Sequence, residues 1–66
     1  MRVWFKPKTR IRKIVPSTGK ELVVFYPGKE YEGELRFDSR NIFCSKGKYP
    51  GTYELSRKEI QITMTT

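Results

Sequence analysis

Histidine is absent from the 66-residue chain, and cysteine and aspartate occur once each, as Cys44 and Asp38. No uninterrupted apolar stretch exceeds residues 22–26. Each shortage excludes something. Without histidine the commonest general base is missing. One cysteine cannot form an intrachain disulfide, and without histidine it cannot build a structural zinc site. The apolar run falls far short of the ~20 residues that span a bilayer, and the first residues lack the apolar core of a signal peptide. The glycines are scattered turn residues, so no phosphate-cradling loop is present. Internal repeats and low-complexity tracts are missing too. The length leaves no room for a large α/β enzyme. These shortages predict one small soluble domain in a reducing cytoplasm, not an enzyme, with no cofactor and no metal.

The acids that remain do not suggest catalysis. Glu30, Glu32 and Glu34 alternate along one segment, the ordinary arrangement of a solvated strand face. Cys44 has no histidine partner, and a lone strand cysteine is usually a small core residue.

What is present is basic charge and aromatic bulk. Fourteen Lys and Arg stand against seven Asp and Glu, a formal net charge of +7. The excess is not spread evenly. Residues 1–20 carry Arg2, Lys6, Lys8, Arg10, Arg12, Lys13 and Lys20 and no acid, whereas residues 21–66 balance seven bases with seven acids. Nine aromatics, together with Ile, Leu and Val, suffice for a core and exclude a disordered tail.

Proline and glycine punctuate the chain at short intervals, at Pro7, Pro16, Gly19, Pro27-Gly28, Gly33, Gly47 and Pro50-Gly51. The segments between them suit strands and are too short for helices. Residues 2–6 and 8–15 read as strands, or as one long strand bent at Pro7. Pro16-Ser17-Thr18-Gly19 is a turn into residues 20–26, so that 8–15 and 20–26 form a hairpin. The apolar centre of 20–26 predicts burial on both faces. Residues 31–37 alternate, with Tyr31, Gly33, Leu35 and Phe37 inward. Gly33 marks a bulge or a close crossing. Asp38-Ser39-Arg40-Asn41 is a turn in which Asn41 suits the left-handed position. Residues 41–46 and 52–55 are strands joined by a loop with Tyr49 at its tip. Ser56 and Glu59 form a capping-box pair, giving one 3₁₀ turn before a last strand at 60–64.

Roughly five to seven short strands joined by hairpins make this an all-β chain and predict a small antiparallel barrel. The 3₁₀ turn before the last strand resembles the SH3-like barrels over residues 8–64, in arrangement alone. The ALYDY-type motif of peptide-binding SH3 domains is absent, so no functional residue follows from the resemblance. An OB-like barrel is the alternative, but it needs a helix between its middle strands.

The remaining chemistry is binding. A positive groove for phosphates with exposed rings for bases describes a single-stranded nucleic-acid site. Arg2, Trp4, Lys6, Lys8, Arg10, Arg12 and Lys13 supply such residues in the N-terminal segment, and Lys48 and Tyr49 supply them in a loop. Arg40, Lys46 and Tyr26 also sit in or beside loops. Burying Arg2 and Lys6 is costly, so Val3 and Phe5 are expected inside, with Arg2, Trp4 and Lys6 outside. The leading expectation is nucleic-acid binding, DNA or RNA, with low sequence specificity. The rival is a protein–protein module that meets an acidic protein surface. In size and style the chain resembles small accessory proteins of phages and mobile elements, many of which modulate a host protein. A homodimer formed through an edge strand is a third possibility.

Overall fold

The computed structural model describes residues 1–36 and 40–66. Seven strands form two antiparallel sheets: β1 (Arg2–Pro7), β2 (Ile11–Val15), β3 (Lys20–Phe25), β4 (Tyr31–Leu35), β5 (Ile42–Cys44), β6 (Tyr53–Leu55) and β7 (Ile60–Thr65). One sheet has the order β6-β5-β4-β1-β7, and β2 and β3 pair as a separate ribbon. Their inner faces share one core. The Phe5 and Phe25 rings meet across it at 6.2 Å, and Tyr31 stands edge-on to Phe25 at 5.1 Å. Val3, Phe5, Val15, Val24, Phe25, Ile42 and Leu55 are fully buried. The radius of gyration, 11.1 Å, is close to the ~11 Å of a compact chain of this length. Among the described residues no helix is long and apolar enough to cross a membrane.

Two expectations are corrected. The barrel is not closed: among the described residues β2 and β3 pair only with each other, and the five-stranded sheet ends in open edges at β6 and β7. Beyond Pro7, which has no N–H, the Lys8 N–H donates to the Glu59 carbonyl at 2.9 Å and carries the β1–β7 pairing one residue further. Asn41 does not take a left-handed conformation, since every positive φ among the described residues belongs to a glycine. The inward placement of Phe37 and the turn at Asp38 and Ser39 lie outside the described residues.

The punctuation otherwise acts as its chemistry requires. Gly19, at φ 69°, closes the β2–β3 turn, with its N–H on the Val15 carbonyl at 2.8 Å. Ser56 caps the 3₁₀ turn Arg57–Glu59 by accepting from the Lys58 N–H at 3.2 Å. The Glu59 carboxylate accepts in return from the Ser56 N–H at 2.9 Å. Gly33 keeps regular register opposite Val3, so it is a close crossing and not a bulge. A Cβ there would lie 2.6 Å from Ile42 Cγ2 and 3.2 Å from the Phe43 carbonyl oxygen. Gly33→Ala is therefore expected to cost about 1–3 kcal/mol, read as a lowered urea midpoint. An unchanged midpoint would refute this account of Gly33.

The register shifts fall elsewhere, at Trp4/Phe5 against β7 and at Ile11/Arg12 against β3. At the second shift Val24 is the extra residue. It turns inward beside Phe25 and leaves Leu22 and Val23 only half-buried.

Candidate nucleic-acid interface

The N-terminal bases do not form one patch. On β1, Val3 and Phe5 face the core and Arg2, Trp4 and Lys6 face out, as steric and solvation costs require. The pairing of β1 with β4 sets Arg2 opposite Glu34 and Trp4 opposite Glu32. Arg2 then reaches the Glu32 carboxylate at 3.7 Å. Trp4 is half-buried between Glu32 and Met64, its partners on the two neighbouring strands. On the ribbon, Arg12 is exposed and lies opposite Val23, on the face turned away from the core. Lys13 is half-buried and leans to Glu59 at 4.0 Å. The seven-to-zero bias of residues 1–20 is thus divided among separate surfaces, and two of its members meet carboxylates.

A different group of bases does converge. Pro27 and Gly28 occupy the second and third positions of a turn, and Gly28 has φ 85°, the pattern of a type II turn. That turn folds Lys29 back over the Tyr26 ring, its Nζ 5.9 Å from the centroid. From the other side of the chain, the Lys48 N–H donates to the Val24 carbonyl at 2.9 Å, which brings the 46–49 loop against the end of β3. Lys48 Nζ lies 5.6 Å from the Tyr26 centroid and 5.6 Å from that of Tyr49. It also donates to the Tyr26 hydroxyl at 3.4 Å. Gly47 makes this approach possible, because a Cβ there would sit 2.4 Å from Val24 Cγ1.

Tyr26, Lys29, Lys46 and Lys48 line a depression of about 510 Å³ above Tyr31. No acid lines it among the described residues. The Tyr26 hydroxyl accepts from Lys48, and this hydrogen bond is the chief cause that holds the Lys48 ammonium above the ordinary lysine value. A raised value favours the charged form, so Lys48 keeps its charge through neutral pH and up to the ordinary value of 10.5. The contribution is lost only as pH rises through the higher folded value.

The strand registers bring more bases to this end. Phe5 pairs with Tyr31, so Lys6 and Lys8 lie at the end of β4 where Tyr31 begins. Ile11 pairs with Phe25, so Arg10 lies at the Tyr26 end of the ribbon. Lys6, Lys8 and Arg10 are exposed and carry no ion pair among the described residues. Of the acids nearby, Glu59 caps its turn and meets Lys13, and Glu30 accepts from the neutral Thr63 hydroxyl.

Of the residues named from sequence, Lys48 and Tyr49 belong to this cluster and Lys6, Lys8 and Arg10 flank it. Arg2, Trp4, Arg12 and Lys13 lie apart. Tyr49 is not a free loop tip but is half-buried against the core. Lys29 was missed. Its sequence signal is the Pro-Gly pair before it, which returns the fourth turn residue to the first.

Cys44 is 1% exposed, and its thiol donates to the Glu32 carbonyl at 3.2 Å. Burial pushes its pKa up from 9.0. The thiol form is therefore favoured in the fold, and this contribution fades as pH rises through the raised value. Iodoacetamide at pH ~8 is expected to leave native Cys44 unmodified and to alkylate it fully in denaturant. Rapid modification of the native protein would contradict this placement. No group of three or more potential metal ligands occurs among the described residues.

The chain matches no protein-family model, no curated protein and no solved structure.

Proposed function

We propose that the chain is a non-catalytic module that binds nucleic acid, with little sequence specificity, at its Tyr26 end. The arrangement of two sheets, with a 3₁₀ turn before the last strand, supports an SH3-like barrel left open between the β2–β3 ribbon and the edges of the five-stranded sheet. The observation that carries the reading is the convergence of Lys29 and Lys48 on Tyr26, in a depression that Lys46 also lines and that no acid lines among the described residues. Ammonium groups attract phosphates wherever they run, while an aromatic face accepts any base. Lys6, Lys8 and Arg10 extend the positive surface along the same end. Few donors are fixed in a geometry that could read base edges, so discrimination between sequences is weak.

The test is affinity purification of the tagged protein with and without nuclease, alongside gel shifts with single- and double-stranded DNA and RNA. The reading expects co-eluting nucleic acid, removed by nuclease, and a shift with single strands of mixed sequence. A protein partner that survives nuclease, with no gel shift, would replace it by the protein–protein reading. Ile14, 65% exposed on the outward face of the ribbon, is the natural contact for that rival.

A further inference from the structure

A second positive depression lies at the other end of β4, where Leu35 ends the strand. It encloses about 730 Å³ and is lined by Arg36, Arg40, Arg57 and Lys58 over Met1 and Leu35. No carboxylate lines it among the described residues. β4 spans five residues, which separates this site from Tyr31 by about 14 Å.

Two of the guanidinium groups are already held in place. Arg57 Nε donates to the Arg40 carbonyl at 2.9 Å, which leaves both Nη groups of Arg57 free to donate. Arg36 lies over the Phe43 ring at 4.2 Å, and its Nε is 3.9 Å from Glu34. Arg40 and Lys58 have no ion pair among the described residues. Among the described residues four cations therefore face one carboxylate at the rim, and they stay in excess by two when Asp38, which lies between Arg36 and Arg40 in sequence and outside the described residues, is counted against them. Guanidinium forks match the oxygens of a phosphate, and fixing them beforehand lowers the ordering cost of binding.

We propose that this depression binds a terminal phosphate, a phosphomonoester, with its attached nucleoside against Met1 and Leu35. A monoester carries close to two negative charges at neutral pH, because its second pKa is about 6. An internal diester carries one. An excess of at least two cations in a concave site favours the dianion and the end of a chain over a strand running through. The apolar floor suits a sugar or base edge. The site goes beyond the reading above and does not depend on it. The same chemistry is offered by a free nucleotide or by the 5′-phosphate of a strand.

Titrations followed by amide NMR shifts would use adenosine monophosphate, adenosine, and one oligonucleotide with either a 5′-phosphate or a 5′-hydroxyl. The monophosphate is expected to shift Arg40, Arg57 and Lys58, and adenosine is not. If the source is a strand end, the 5′-phosphorylated oligonucleotide binds about ten-fold tighter than its 5′-hydroxyl twin. Arg40→Gln and Arg57→Gln each abolish the difference. Arg40→Gln keeps the carbonyl that holds Arg57, so it separates lost charge from a disturbed loop. Lys48→Glu weakens both oligonucleotides equally. If the monophosphate shifts these residues but the two oligonucleotides bind alike, the ligand is the free nucleotide. Monophosphate binding with no oligonucleotide binding sinks the nucleic-acid reading and leaves this site standing. No shift with the monophosphate and no effect of the 5′-phosphate overturns the proposal.

Discussion

Reversing Lys29 and Lys48 together to Glu is expected to weaken single-stranded oligonucleotide binding by about 100-fold or more at low salt. Each reversal removes one attraction and adds one repulsion. A charge pair about 4 Å apart in water is worth about 1 kcal/mol, and about 1.4 kcal/mol is ten-fold in affinity. Both side chains are exposed and reach the site through the Tyr26 ring, so the fold should survive. Arg12→Glu is the matched control, because Arg12 lies on the outward face of the ribbon. Its effect is expected to stay within about three-fold, the scale of a distant screened charge. Fluorescence anisotropy with a labelled oligonucleotide reads both. Equal losses from the two variants would mean that charge acts globally and that the Tyr26 end is not a site.

The largest stability effect is expected for Phe25→Ala. Phe25 is fully buried and lies 6.2, 5.1 and 5.9 Å from the rings of Phe5, Tyr31 and Tyr53. Removing such a ring costs about 3–5 kcal/mol, transfer and cavity together. A domain of this size has about 3–10 kcal/mol in all. The variant should therefore be largely unfolded, or melt far below the wild type. Circular dichroism with a thermal melt is the measurement. A cooperative melt displaced by only a few degrees would show that the four-ring cluster is not the centre of the core. Phe43→Ala serves as comparison, because Phe43 is half-buried on the outer face beneath Arg36. Its cost should be clearly smaller.

The strands were legible because proline and glycine divide the chain into lengths that only strands fill. The capping box was legible because Ser56 and Glu59 act within one turn, and so was the outward placement of Arg2, Trp4 and Lys6, which follows from alternation together with the cost of burying Arg2 and Lys6. What the sequence hid depends on contacts between distant segments. Nothing near Arg2 announces that Glu32 and Glu34 will lie beside it, because β1 and β4 are separated by the whole ribbon. Both register shifts fall on residues with no glycine to mark them. Tyr49 reads as a loop tip, yet the loop folds against the core. Gly51 takes φ 127° there, and the Tyr53 hydroxyl holds the Pro50 carbonyl at 2.9 Å. The bias of residues 1–20 was correct as a count and misleading as a surface, since a run of charge does not say which faces will share it.

If phosphates are held by the bases around Tyr26, the salt dependence of binding shows it most directly. With Lys6, Lys8, Arg10, Lys29, Lys46 and Lys48 engaged, a plot of log affinity against log salt should fall with a slope of about −4 for single strands. The Lys29/Lys48 double variant should flatten it to about −3. A slope near zero in the wild-type protein, or the same slope in the variant, would contradict the account.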